Sequence, residues 1–481
     1  MAEKTKTQLA VVGAGPGGYA AAFRAADLGM EVALIDTERN PGGVCLYRGC
    51  IPSKALLHVA KVLTDAKEAA HWGIQFAEPE IDYDRLRASK DEIVAQMTSG
   101  LGQLTRARKI KFIQGRASFE DRETLRITAE DGAEQYLAFD HVILATGSRP
   151  STIPNMYIDS ERVMSSTGAL RLQDIPESLL VVGGGYIGLE LGSVYAALQS
   201  KVTVVEMAPR LLAGADEDLV EVLARRIEVL MHEILLGTRV RSMKETKAGI
   251  AVELEGSDGA VEDRVFDKVL VSIGRRPNSS GLNLQATDVE VNDKGFVVVD
   301  AQRRTAEPKI YAIGDLVGDP MLAHKASHEG RVAVEAIAGR KVAFEPNAIP
   351  AVVFTDPELA WTGITETEAE AKGIEVEIGK FPWTASGRAS TLHRTDGLTK
   401  ILSEPGTGRV LGVGIVGSGA GELITQGTLA IEMGATVDDV QLTIHPHPTL
   451  SETVMETAET IFGQSTHLYK QKSKGKGESK A

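Results

Sequence analysis

Two stretches of this 481-residue chain are built to one pattern, and that repetition constrains the fold more than any other feature. Residues 8–12 are an apolar strand, followed by GAGPGG, an alanine-rich helix to Leu28, and a second strand, 31–35, that ends at Asp36. The same order returns from Leu179: strand LLVV, the glycines Gly183, Gly185 and Gly188, a helix, and strand VTVV ending at Glu206. In such a unit the first glycine (Gly13, Gly183) permits a tight turn. The second (Gly15, Gly185) lets the backbone approach a pyrophosphate, and the third (Gly18, Gly188) lets helix and strand pack closely. The helix N-terminus holds phosphates, and an acid about 20 residues further on accepts ribose hydroxyls. A single glycine turn is weak evidence. Two, each with its strand, helix and terminal acid, predict an α/β chain with two Rossmann-like dinucleotide-binding domains. A carboxylate at Glu206 repels the extra phosphate of NADP while accepting both hydroxyls of NAD, so the second fold is expected to take NAD. Arg210, four residues on, reads as a solvated side chain.

The chain has two cysteines and places both in VCLYRGCIPSK, residues 44–54, directly after Gly42 and Gly43. In a regular helix, residues five apart lie about 140° around the axis with Cα atoms roughly 8.7 Å apart. A disulfide needs less than about 6.8 Å. If Cys45 and Cys50 bond, the chain between them must leave regular helix, and Gly49 is the residue least penalised for doing so. Two small buried hydrophobes are the alternative reading. The use of both cysteines within one short segment favours a redox pair. A structural zinc site needs about four ligands, and the spacing offers two. A stabilising disulfide would close only a small loop, in a chain expected to be cytosolic.

Composition excludes other classes. With 52 basic and 66 acidic residues the formal charge is −14, which argues against nucleic acid as a general partner. No apolar run reaches the roughly 20 residues of a membrane span. The start, MAEKTKTQLAVVGAG, runs from a short polar leader into a strand, so no presequence and a cytoplasmic location are expected. Hydrophobic content of 43% with 49 glycines suits tight α/β turns, and the length predicts about three domains. A third strand-plus-glycine segment, residues 310–317 (IYAIGDLV), ends at Gly314 and Asp315. It reads either as a strand and type I turn or as an acid placed for the ribityl chain of a flavin. Segments 143–147 and 270–278 suit crossings between nested domains.

Taken together, GAGPGG, GGVCxxxxCIPSKALL, ATGSRP, GGGYIGLELG, IGRRPN, IYAIGDLVG, MLAHKASHEG and HPHPTLSE resemble the class I pyridine nucleotide-disulfide oxidoreductases. The likeness is greatest to those members that oxidise dihydrolipoamide. It implies a glutathione reductase-like fold with a C-terminal α+β dimerisation domain. The FAD-binding domain is then expected over 1–149 and 278–346, the NAD-binding domain over 150–277, and the dimerisation domain over 347–463. The resemblance makes Cys45 and Cys50 a redox disulfide, with Cys45 as the interchange thiol and Cys50 as the flavin-proximal sulfur. It puts Lys54 near the flavin, paired with Glu190, and Asp315 on the ribityl chain with Ala323 nearby. Gly13, Gly15, Gly18, Asp36, Gly43 and Gly115 fall on the FAD side. Gly183, Gly185, Gly188, Glu190 and Glu206, with Val240 and Gly274, fall on the NAD side. His447 becomes the acid–base partner of the sulfurs, oriented by Glu452, and completes the site of the opposite subunit of a homodimer. The implied activity is oxidation of protein-bound dihydrolipoamide with reduction of NAD+. The implied partners are lipoyl-bearing acyltransferase subunits of 2-oxo acid dehydrogenase complexes, or the lipoyl protein of glycine cleavage.

Several features depart from the family pattern. Tyr47 and Arg48 are bulky for the segment between the cysteines, with Arg48 read as pointing to solvent, and Pro446 stiffens His445–Pro448. Tyr186 reads either as a cover over the flavin or as a packed tyrosine. Residues 464–481 are lysine-rich and aperiodic, and are expected to be disordered. Among rivals, Glu206 disfavours a glutathione-type reductase and the lack of a second cysteine pair disfavours a mercuric reductase. A flavin-dependent NADH oxidase and a mainly docking subunit stay open.

Overall fold

The computed structural model describes residues 4–152 and 158–469. These fall into two compact units, Met1–Pro209 with Glu233–Glu345, and Arg210–His232 with Pro346–Ala481.

The first unit contains both expected nucleotide folds. Strand Lys4–Val12 pairs in parallel with Val32–Asp36 on one side and Glu134–Leu144 on the other, and Lys111–Gln114 lies beyond Val32–Asp36. Strands buried on both faces read as continuous apolar runs. Leu9, Ala10 and Val11 are accordingly fully buried. Helix Pro16–Asp27 buries Gly17, Gly18, Ala21, Ala22 and Ala25, residues small enough to let neighbouring backbone come close. Far along the chain, strand Ile310–Ala312 adds itself in parallel to Val142–Leu144. The helix that follows, Ala323–Ile337, presses on the first: a Cβ at Gly330 would lie 2.7 Å from the Gly17 carbonyl oxygen.

The second fold repeats the first, as a parallel sheet in the order Glu233–Leu235, Lys201–Val205, Ser178–Val182, Lys268–Val271, Val163–Met164, with helix Tyr186–Ala197. The expected crossings are present as a two-stranded antiparallel pair, Ser148–Pro150 with Arg275–Pro277.

The second unit is built on a five-stranded antiparallel sheet, in the order Ala351–Val353, Glu358–Gly363, Val410–Gly417, Leu398–Ser403, Glu377–Pro382. Helices Ala420–Glu432, Val437–Leu442 and Glu452–Ile461 accompany it. Two sequence boundaries differ from this division. Residues 210–232, expected with the NAD-binding segment, belong to the second unit, because helix Glu217–Leu230 buries Leu219, Leu223 and Ile227 there. The fully buried Lys400 ammonium holds that segment through Asp216 (2.8 Å) and Asp218 (2.9 Å), and pairs with Glu366 as well. The expected tail also begins too early at 464, since Ser465 and His467 both bind the Glu456 carboxylate. All five of its lysines, in 470–481, lie outside the described residues.

Candidate active site

The first glycine turn is shaped by backbone that leaves no room for side chains. Gly13 has φ +100°, and a Cβ there would lie 2.3 Å from the Ala145 carbonyl oxygen. At Gly18 a Cβ would lie 1.8 Å from the Gly13 carbonyl oxygen. Gly43, at φ +58°, passes so near Gly15 that a Cβ would sit 2.5 Å from its Cα. Asp36 ends its strand with Oδ2 accepting from the Ala14 amide (2.6 Å) and Oδ1 from the Glu38 amide (2.9 Å). These residues open onto a cavity of about 720 Å³, within the usual range for a small-molecule site. Gly13, Gly15, Asp36 and Gly43 line it, and so do Cys45, Cys50, Lys54, Gly115, Asp315 and Ala323. The bare glycine cradle, the strand-end carboxylate and the adjacent thiols fit a dinucleotide whose reactive end lies against sulfur.

The sulfur segment breaks where the spacing argument placed the break. Helix Gly43–Arg48 ends, Gly49 intervenes, and helix Cys50–Glu68 begins. A Cβ at Gly49 would lie 2.8 Å from the Val44 carbonyl oxygen and 3.2 Å from the Cys45 Cα, so the chain folds tightly back on itself there. Gly49→Ala is expected to cost about 1–3 kcal/mol through this overpacking. Chemical denaturation of the reduced protein measures it, and unchanged stability would contradict the contact.

Both cysteines are free thiols, and they are chemically unequal. The hydrogen bond shared with Cys50, reinforced by burial, pushes the Cys45 thiol up. The hydrogen bond from Cys45 pulls Cys50 down to about 7, assisted by the Lys54 ammonium and against the cost of burial. Lys54 Nζ lies 2.8 Å from Glu190 Oε2, joining helix Cys50–Glu68 to helix Tyr186–Ala197. Glu190, assigned to the NAD side, therefore lines the same cavity as the sulfurs. In the reduced protein the ultraviolet absorbance of thiolate should show one group ionising near pH 7. Lys54→Met should move that step upward, since the attracting cation goes and Glu190 is left as a nearby negative charge. A downward or absent shift would count against the Lys54 contribution.

The residues between the cysteines are held by the protein. Arg48, read as solvated, forms an ion pair with Glu38 at 2.5 Å, and the Tyr47 hydroxyl donates to the Asn40 carbonyl at 3.0 Å. Tyr186 lines the cavity, and burial pushes its phenol up to about 12.

The second glycine turn copies the first in detail. Gly183 has φ +109° with no room for a Cβ beside the Ser272 carbonyl, and a Cβ at Gly188 would lie 2.1 Å from the Gly183 carbonyl oxygen. Glu206 accepts from the Gly184 and Ala208 amides, both at 2.7 Å, as Asp36 does from its two. The Arg210 guanidinium donates to the Ala213 and Ala215 carbonyls at 3.0 Å, which keeps it occupied within its own loop. Gly185 stands open at this turn, with nothing within 4 Å of a Cβ built there. Gly274 lies at the crossing, its carbonyl accepting from Ser151, and Val240 packs on the hairpin core near Ile250 and Val252. Neither borders the 720 Å³ cavity.

Sequence reading missed the groups that fix Asp315. The Ser148 hydroxyl donates to Asp315 Oδ2, and Arg275 Nε lies 3.9 Å from the same oxygen. The fully buried Glu329 accepts from the Gly314 amide at 2.6 Å and pairs with Lys325 and Arg303, both at 3.1 Å. The i, i+4 spacing of Lys325 and Glu329 was the available signal.

In the second unit, His447 Nδ1 lies 2.9 Å from Glu452 Oε1, and the Thr449 amide donates to Glu452 Oε2 at 2.8 Å. Burial pushes the Glu452 carboxyl up, but the Thr449 amide and His447 outweigh it and hold the group below the usual range. The carboxylate occupies Nδ1, so Nε2 is left to meet a substrate.

Residues 7–330 match the pyridine nucleotide-disulphide oxidoreductase family, and residues 349–458 match that family's dimerisation domain. This chain belongs to the pyridine nucleotide-disulphide oxidoreductases. Within the family it is 48% identical to a dihydrolipoyl dehydrogenase of Haemophilus influenzae over 99% of both chains. A dihydrolipoyl dehydrogenase of Vibrio cholerae is 46% identical over 99% of this chain and all of its own. Among solved oxidoreductase structures, LpdA from Mycobacterium tuberculosis superposes with TM-score 0.87 at 28% identity, covering 95% of this chain and 99% of its own. The HOCl-induced flavoprotein disulfide reductase RclA from Escherichia coli gives 0.85 at 26%, covering 95% and 99%. Among the described residues, no helix is long and apolar enough to cross a membrane.

Proposed function

We propose that this pyridine nucleotide-disulphide oxidoreductase is a dihydrolipoyl dehydrogenase that uses FAD and NAD+ and works as a homodimer. The observation that carries the reading is the thiol pair itself: Cys45 and Cys50 line one cavity with the first glycine turn, and the Lys54–Glu190 ion pair lines it beside them. Full-length similarity to dihydrolipoyl dehydrogenases supports the substrate.

In the oxidised enzyme the two sulfurs form a disulfide. His447 Nε2, from the partner subunit, takes the proton of one dihydrolipoamide thiol, and the Glu452 carboxylate steadies the imidazolium. The substrate thiolate attacks Cys45 Sγ. The Cys45–Cys50 bond breaks, and Cys50 leaves as a thiolate, which its low pKa and Lys54 favour. The second substrate thiol attacks its own partner sulfur in the mixed disulfide, and its proton passes to the departing Cys45 sulfur. That step closes lipoamide and releases Cys45, which keeps that proton and donates it in a hydrogen bond to the Cys50 thiolate. The bound flavin supplies two-electron transfer between the reduced sulfur pair and the nicotinamide. Lys54 and Glu190 keep the Cys50 end fixed, and the Gly13–Gly18 and Gly183–Gly188 turns hold the pyrophosphates.

We further propose a cytoplasmic enzyme that docks to lipoyl-bearing acyltransferase subunits of 2-oxo acid dehydrogenase complexes or to the lipoyl protein of glycine cleavage. Steady-state assays with free dihydrolipoamide test the central reading. NAD+ should support turnover, and NADP+ on the order of a hundredfold less, since its phosphate would face Glu206. Peroxide formation from NADH in place of lipoamide turnover would point instead to an oxidase.

A further inference from the structure

We infer that Thr453 is a positioning residue for the His447–Glu452 pair, acting through a buried hydrogen-bond chain that starts at Trp383. The inference rests on the acid–base role proposed for that pair. The Trp383 indole N–H donates to Thr399 Oγ1 at 2.9 Å, the Thr399 hydroxyl donates to Thr453 Oγ1 at 2.9 Å, and the Thr453 hydroxyl donates to the Leu450 carbonyl at 2.8 Å. An indole N–H can only donate, so each hydroxyl receives from the tryptophan side and passes its own proton onward. The chain therefore runs one way.

Its origin is immobile. Trp383 is fully buried, and a Cβ on Gly397 or Gly417 would lie 2.3 Å or 2.4 Å from its ring. Its end falls in the residues joining His447 to the helix Glu452–Ile461, where the Thr449 amide also holds Glu452 Oε2. The Leu450 carbonyl lies between Thr449 and Glu452 in sequence and also accepts from the Thr453 amide at 3.1 Å, so the hydroxyl adds a second hold on the loop that aligns carboxylate and imidazole. Thr457, one turn further along the helix, adds a second strap, its hydroxyl donating to the Thr453 carbonyl at 2.6 Å and reaching the Thr399 carbonyl at 3.3 Å.

Packing alone does not call for these hydroxyls. Thr399, Thr453 and Thr457 are all 1% exposed or less, and valine would fill the same volume without the cost of burying a hydroxyl. What threonine adds is direction. A satisfied buried network specifies one arrangement, whereas an apolar seam of the same shape leaves the helix and its loop freer to turn.

Three variants of the full-length holoenzyme test this: T453V, T453S and W383F. In T453V, kcat with free dihydrolipoamide and NAD+ should fall on the order of tenfold, a smaller loss than the roughly hundredfold that a 1 Å misplacement can cause. NADH oxidation by an artificial acceptor, which does not use His447, should stay at the wild-type rate. T453S restores the hydroxyl and should restore lipoamide turnover. W383F removes the first donor, should show the same selective loss to a smaller extent, and carries the test if T453V does not fold. Unchanged lipoamide turnover in a folded T453V or W383F overturns the inference, as does an equal fall in both reactions. H447Q run alongside separates the two readings: full lipoamide turnover in H447Q removes the acid–base role itself, whereas a large loss there with normal T453V removes only the positioning.

Discussion

Replacing Cys45 by serine is expected to lower dihydrolipoamide turnover by on the order of a thousandfold or more, the scale seen when the residue that forms the covalent intermediate is removed. NADH oxidation by an artificial acceptor should survive. The division follows from the two sulfurs' different surroundings. Cys45 is the sulfur whose thiol is pushed up, so once reduced it keeps its proton and serves as the donor to Cys50. A serine hydroxyl there can still donate a hydrogen bond, but it cannot form the disulfide that the substrate thiolate attacks. Cys50 keeps Lys54 and Glu190 about it in the variant and stays on the cavity wall. The glycine turns and their acids are also untouched, so electron flow from nicotinamide to an external acceptor remains. Near-normal lipoamide turnover in this variant would sink the sulfur scheme, and loss of both reactions would mean that serine had damaged the cavity.

The parts of the site legible in the sequence are those whose constraints are local. A Cβ at Gly18 or Gly188 would strike the carbonyl of its own turn, so glycine is demanded within a few residues, and the acids Asp36 and Glu206 cap the same short unit. The break at Gly49 was likewise readable, because helix geometry and the cysteine spacing conflict within one segment. The illegible parts depend on partners far along the chain. Ser148 and Arg275 meet Asp315 only after the two crossing strands pair. Arg48 looked solvated because nothing in LYRG points to Glu38. Helix Glu217–Leu230 reads as a segment of the second nucleotide fold, and its place in the other unit is explained by partners far along the chain, the buried Lys400 and the strand at Gly414 against Leu219. The tail boundary failed for a similar reason: a buried carboxylate at Glu456 recruits Ser465 and His467, and composition does not register that.

The second large effect is expected at His447. H447Q should reduce dihydrolipoamide turnover by about 10²–10⁴-fold, the usual contribution of a positioned general base, again with artificial-acceptor turnover retained. E452Q should reduce it less, because the imidazole stays while its orienting charge goes. The Glu452 carboxyl is held below the usual range, so it ionises at lower pH than a free glutamate. Its ionised form, and whatever stability it lends the loop, is fully present above the ordinary carboxylate value and is lost only as pH falls through the lowered one. The pair is therefore intact throughout the neutral range, and changes in turnover there do not come from Glu452. A mixed dimer tests the origin of the base more sharply than either single variant. If the sulfurs of one subunit work with His447 of the other, a hybrid of one C45S chain and one H447Q chain has one site with both defects and one with neither, and should regain about half the wild-type lipoamide turnover by two-fold symmetry. If the sulfurs and histidine act within a single chain, each site of the hybrid carries one defect, and turnover stays at the level of the inactive parents. Purified hybrid dimers, assayed beside both parents, decide between these outcomes.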